Sequence, residues 1–77
     1  MRQIWVVDDD RSIRWVLEKA LTRAQMPFRL FESAADVVKA FEHDTPSVLL
    51  SDIRMHDMSG LDLLAFVKNK YPGLPVI

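Results

Sequence analysis

Ile4-Trp5-Val6-Val7-Asp8-Asp9-Asp10 is the stretch on which the fold turns. Four consecutive β-branched and aromatic residues do not alternate with polar ones, so they read as a strand covered on both faces, and three carboxylates close it. A second run of this kind, Val48-Leu49-Leu50-Ser51-Asp52, also ends on an acid. Between the two, Ile13, Val16, Leu17, Ala20, Leu21 and Ala24 recur at steps of three and four, which predicts an amphipathic helix over 11–25 with Asp10 as its cap. Pro27 stops that pattern. Phe28 to Phe31 reads as a further strand, and Arg29 marks it as a sheet edge. Ser33-Ala34-Ala35-Asp36 supplies a hydroxyl and a carboxylate for unpaired amides at the start of a second helix, whose stripe is Ala34, Val37, Val38 and Phe41.

Thr45-Pro46 breaks the second helix, and 53–59 reads as a loop after the strand that ends at Ser51-Asp52. Ser59-Gly60-Leu61-Asp62 repeats the capping arrangement before a helix with the stripe Leu63, Leu64, Val67 and Tyr71, which Pro72-Gly73 ends. Leu74 to Ile77 has the pattern of a fourth strand. The order β-α-β-α-β-α-β predicts an α/β fold, a flavodoxin-like doubly wound parallel sheet with right-handed crossovers, incomplete after the start of strand four. Residues 1–77 are expected to form one domain, unfinished at its C-terminal side.

Composition narrows the function. With 77 residues there is room for one small domain, and 49% apolar with 27% charged residues is an ordinary globular balance. A net charge of −1 gives no electrostatic footprint for phosphate backbones or anionic lipid, so nucleic-acid binding by this segment is not expected. The absence of cysteine removes disulfides and thiolate metal sites. No uninterrupted apolar run, Ile4 to Val7 included, comes near the ~20 residues of a membrane span, and the expected location is the cytoplasm.

In open α/β sheets ligands bind beyond the carboxyl ends of the strands, where strand order reverses. Asp8, Asp9 and Asp10 follow the first strand and Asp52 follows the third, and in the flavodoxin-like order these strands are neighbours, so four carboxylates are expected to converge on one shallow cleft. Clustered ionised acids require a cation, and Mg²⁺, with its preference for oxygen ligands and retained waters, suits a shallow acidic cleft. A carboxylate beside such an ion can attack a phosphoryl group. Asp52, at the end of a rigid strand, is the best-placed nucleophile; Asp10 is assigned to helix capping, and Asp57 and Asp62 lie farther into loop and helix.

Val6-Val7-Asp8-Asp9, Ser51-Asp52-Ile53-Arg54-Met55 through Met58, and Gly60-Leu61 resemble the receiver domain of bacterial two-component response regulators. Trp5 to Asp10, Ser12 to Leu17 and Leu49 to Met55 look more narrowly like its nitrogen-regulation branch. The resemblance implies that Asp52 accepts phosphate from the phosphohistidine of a partner histidine kinase. It implies that Asp9 binds Mg²⁺ directly, Asp8 directly or through water, and the backbone carbonyl of Arg54 as a further ligand. It also implies a regulatory domain rather than an enzyme, a homodimer in the full-length protein, and DNA binding only through a C-terminal domain beyond this chain. The hydroxyl residue and lysine that complete the family's site would likewise lie beyond Ile77.

His56 departs from the family pattern, which has proline there, and a freer loop beside Asp52 is expected. Two rival readings stay open. Asp8-Asp9-Asp10-Arg11-Ser12 fits the D-x-D-x-[ST] loop of haloacid-dehalogenase-like phosphatases, with Asp8 as nucleophile and Asp10 as acid; alternatively the chain is a non-catalytic metal-binding or dimerisation module. Trp5 and the phenylalanines read as core. Trp15, beside its helix's apolar stripe, suits a surface contact. His43 and the group Arg2, Arg11, Arg14 and Lys19 read as solvated, the latter able to steer an acidic partner.

Overall fold

The computed structural model describes residues 3–52 and 60–77. The element order is β1 (Ile4–Val7), α1 (Arg11–Arg23), β2 (Phe28–Phe31), α2 (Ala34–Ala40), β3 (Val48–Ser51) and α3 (Gly60–Lys70). The three strands form one parallel sheet in the order β2-β1-β3. β1 is central and all four of its residues are buried, as its unbroken apolar run predicts. β2 lies at an edge with Arg29 exposed. The fourth strand expected at Leu74–Ile77 is present as a parallel bridge, Leu49 to Val76, reinforced by backbone hydrogen bonds from Leu49 to Pro75, Ser51 to Ile77 and Ile77 to Leu49. That segment extends the order to the far side of β3.

Alternate residues of a strand face opposite sides, so β1 serves two layers. Trp5 and Val7 join Leu49, Phe31, Val37, Leu63 and Val67 in the main core, beneath α2 and α3. An aromatic column runs through it. Phe41 packs 4.9 Å from Trp5 and stacks on Tyr71 at 4.9 Å, while Trp5 meets Phe31 edge-on at 5.2 Å. Contacts of this type contribute about 0.5–1.5 kcal/mol each beyond area burial, and here they tie β1, β2 and the ends of α2 and α3 together. Val6 faces the other layer, where it lines a groove with Leu17 of α1 and Leu50 of β3.

The helix caps follow the sequence. Asp10 is the N-cap of α1, its carboxylate accepting from the amides of Ser12 and Ile13, and Ser33 caps α2 by accepting from the Asp36 amide. α1 ends two residues earlier than its periodicity predicts. Gln25 takes the left-handed conformation at φ 58°, its N–H donates to the Thr22 carbonyl, and the Met26 N–H donates to Leu21. This is a Schellman arrangement with glutamine in the position usually held by glycine.

The apolar stripe of α1 is only partly covered. Ile13 is 44% and Val16 55% exposed, and α1 has no fully buried residue. The main core lies on the opposite layer, so the stripe is set by periodicity while its burial depends on what packs over it. Trp15 is 59% exposed, with the Lys19 ammonium 5.5 Å from its ring. His43 is exposed, as expected. The expectations for Arg54, His56, Asp57, the 53–59 loop and the Ser59 cap lie outside the described residues.

Candidate metal and phosphoryl site

The site begins with strand register. In the β1–β3 pair, Val7 stands opposite Ser51, so the next residue on each strand, Asp8 and Asp52, leaves the sheet at the same level and the same end. Two backbone bonds fix that exit. The Asp52 N–H donates to the Val7 carbonyl and the Asp8 N–H donates to the Phe31 carbonyl, each at 3.1 Å. Asp8, Asp9 and Asp52 each present a carboxylate oxygen, and these oxygens lie within 4.8 Å of one another. All three residues are half-buried. Two β-strands thus deliver acids from distant parts of the sequence to one point, at the carboxyl edge of the sheet predicted for ligand binding.

Asp10 is not part of this cluster. Its carboxylate is engaged at the start of α1, while its own N–H donates to Asp8 Oδ1 at 2.8 Å. The phosphatase reading needs Asp10 as a proton donor, and the capping bonds give its carboxylate a different task. Asp62 is exposed in the first turn of α3, consistent with its assignment away from the site.

Burial raises the Asp8 carboxyl above its ordinary range, and the neighbouring charges of Asp52, Asp9 and Asp10 push the same way against the lowering effect of the Asp10 amide. Two unit charges 4.8 Å apart repel by about 3 kcal/mol at an effective dielectric near 20. A cation relieves this repulsion. The donor set consists of hard carboxylate oxygens in a shallow, partly solvated position, which fits Mg²⁺ and leaves room for its waters. A larger groove, lined by Arg29, Glu32, Asp36 and His43, lies beside α2 and contains neither Asp9 nor Asp52.

One neighbour of the acids escapes sequence reasoning. Arg14, expected on a solvated helix face, is half-buried, and its Nη1 donates to the Asp8 backbone carbonyl at 2.5 Å. The available signal was its position: one turn into a helix that starts at Asp10, a long side chain reaches back over the N-terminus toward residue 8.

Comparison with known proteins agrees with this geometry. Residues 4–77 match the response regulator receiver domain family. The DNA-binding transcriptional regulator NtrC of Proteus hauseri is 64% identical over 74 residues, which are 96% of this chain and 16% of that protein. The solution structure of the apo receiver domain of Nitrogen Regulatory Protein C superimposes with a TM-score of 0.87 at 54% identity, covering 99% of this chain and 61% of that one. The response regulator TrrA of Thermotoga maritima, in complex with Mg²⁺-BeF, gives a TM-score of 0.91 at 26% identity over 99% of this chain and 66% of that one. The chain spans about one-sixth of the length of the curated NtrC relatives it matches. The two rival readings have no comparable support, and the chain belongs to the receiver domain family of response regulators, on its NtrC-type branch.

Proposed function

We propose that Asp52 is the phosphoryl acceptor of this receiver domain, with Asp8 and Asp9 holding Mg²⁺ beside it. The meeting of three carboxylate oxygens within 4.8 Å at the ends of β1 and β3 carries the reading. In the transfer, an Asp52 carboxylate oxygen attacks phosphorus and the P–N bond of a kinase phosphohistidine breaks, its electron pair passing to the imidazole. Bound Mg²⁺ supplies charge neutralisation for the phosphoryl oxygens. This chain's residues orient the acceptor: β3 delivers Asp52, and the Asp52–Val7 backbone bond aligns it with the Asp8–Asp9 turn. The Arg54 carbonyl is assigned as a further ligand by family resemblance.

Residues 1–77 serve in this reading as one receiver unit, a regulatory domain without turnover of its own, in the cytoplasm. Among the described residues no helix is long and apolar enough to cross a membrane. The phosphodonor is a histidine kinase of the NtrB type. Because the matched relatives are DNA-binding regulators of much greater length, DNA contact and dimerisation in nitrogen regulation belong to the longer protein. The test is labelling with a small-molecule phosphodonor in Mg²⁺: Asp52→Asn is expected to abolish hydroxylamine-sensitive incorporation, and incorporation at the wild-type level would reject Asp52 as the acceptor.

A further inference from the structure

We propose that Arg14 is a positioning residue that sets the Mg²⁺ affinity of the acid cluster, an inference that rests on the metal reading of Asp8, Asp9 and Asp52. Arg14 closes a ring of three hydrogen bonds. The Asp10 N–H donates to Asp8 Oδ1 at 2.8 Å, the Arg14 N–H donates to the Asp10 carbonyl at 3.1 Å, and Arg14 Nη1 donates to the Asp8 carbonyl. The middle link also belongs to the first turn of α1, and the Asp8 N–H is anchored on β2 through Phe31. Asp8 is therefore held from the sheet on one side and from the helix on the other, and Asp9 sits inside the ring, flanked by two fixed residues.

A guanidinium remains charged at all working pH values and offers donors only, so its bond to a carbonyl is charge-assisted and stronger than a neutral one. Remove it, and the Asp8 carbonyl loses its tie to α1, while the Asp10 amide–Asp8 carboxylate bond and the backbone bonds of Asp8 and residue 14 remain. The turn then has more conformations to lose when a cation draws the carboxylates together, and affinity falls. The contact uses a single nitrogen, so a lysine that reaches the same carbonyl can replace it.

Arg14 also carries a positive charge near the cluster, which by itself opposes cation binding. The two effects have opposite signs, and this makes the proposal testable. Mg²⁺ dissociation constants are measured by isothermal titration calorimetry, with melting midpoints in chelator recorded alongside. Arg14→Gln is expected to bind Mg²⁺ about tenfold more weakly than wild type, a change of about 1.4 kcal/mol, and Arg14→Lys within about threefold of wild type. Equal or tighter binding by Arg14→Gln overturns the proposal, because loss of the charge alone would tighten it. So does a lysine variant as weak as the glutamine one. Should Arg14→Gln lose its cooperative melt, the lysine variant carries the test, and tenfold weakening with an unchanged midpoint overturns it. A wild-type chain that binds no Mg²⁺ refutes the underlying metal reading, an outcome distinct from a failure of Arg14 alone.

Discussion

Replacing Asp8 by Asn removes one charge from the acid cluster while keeping an oxygen that can accept from the Asp10 amide. Asp8 faces two carboxylates, each with an oxygen within 4.8 Å, and each ionised pair costs about 3 kcal/mol at an effective dielectric near 20. Solvent screening at half-buried positions reduces the observable gain to about 1–2 kcal/mol. For 77 residues, an unfolding entropy of about 2.1 cal/mol/K per residue turns 1 kcal/mol into about 6 °C, so Asp8→Asn should melt about 6–12 °C above wild type in chelator at pH 7.

The pH dependence gives the sign independently. The folded Asp8 carboxyl titrates above its unfolded value, so between those two values the folded state binds more protons, and wild-type stability falls as pH rises through that window. The advantage of Asp8→Asn is therefore absent below about pH 4 and grows as the folded Asp8 ionises. Mg²⁺ at ten times its dissociation constant returns about 1.4 kcal/mol to wild type. Differential scanning fluorimetry or circular dichroism melts from pH 3 to 7.5, with chelator and with Mg²⁺, read all three effects. A variant midpoint at or below wild type in chelator at pH 7, or an advantage undiminished at pH 3, would refute the electrostatic account.

Two further expectations concern the scaffold. Gln25→Gly should stabilise the chain by about 0.5–1 kcal/mol in urea unfolding, because glycine adopts the left-handed conformation at φ 58° without the Cβ penalty and returns only part of that gain to unfolded-state entropy; a destabilised variant contradicts it. Leu63→Ala removes a side chain with no exposed surface from the core under α3, and should cost about 2–5 kcal/mol; a domain this small has little more to give, so the near-ultraviolet melt should lose its cooperativity at 25 °C, and a midpoint within a few degrees of wild type would show that the core collapses around the gap.

The parts of this fold legible in the sequence are those fixed by short-range physics. β1 and β3 announce themselves by unbroken apolar runs ending on acids, and Asp10 and Ser33 cap the helices they precede. The cluster of Asp8, Asp9 and Asp52 was legible too, because parallel strands side by side must release their chains at a common edge. Features decided by tertiary geometry were hidden. The end of α1 rests on a glutamine at φ 58°, where glycine would have signalled the stop. The exposure of Ile13 and Val16 depends on what covers α1, which periodicity does not encode. Arg14 looked like one cation among several because its partner is a main-chain oxygen, and every residue has one of those.

The alignment of Val7 with Ser51 makes the acid triad a vernier: its reading depends on where two rails stop relative to each other. A slip of one residue along β3 would displace its terminal carboxylate by about 3.3 Å and turn it to the other side of the sheet. Every acidic group would survive in the gene product, yet the triad would come apart. Single-residue insertions or deletions within 4–7 or 48–51 are thus the changes this site tolerates least, whereas a change of length within the exposed 42–44 stretch leaves the two rails in step.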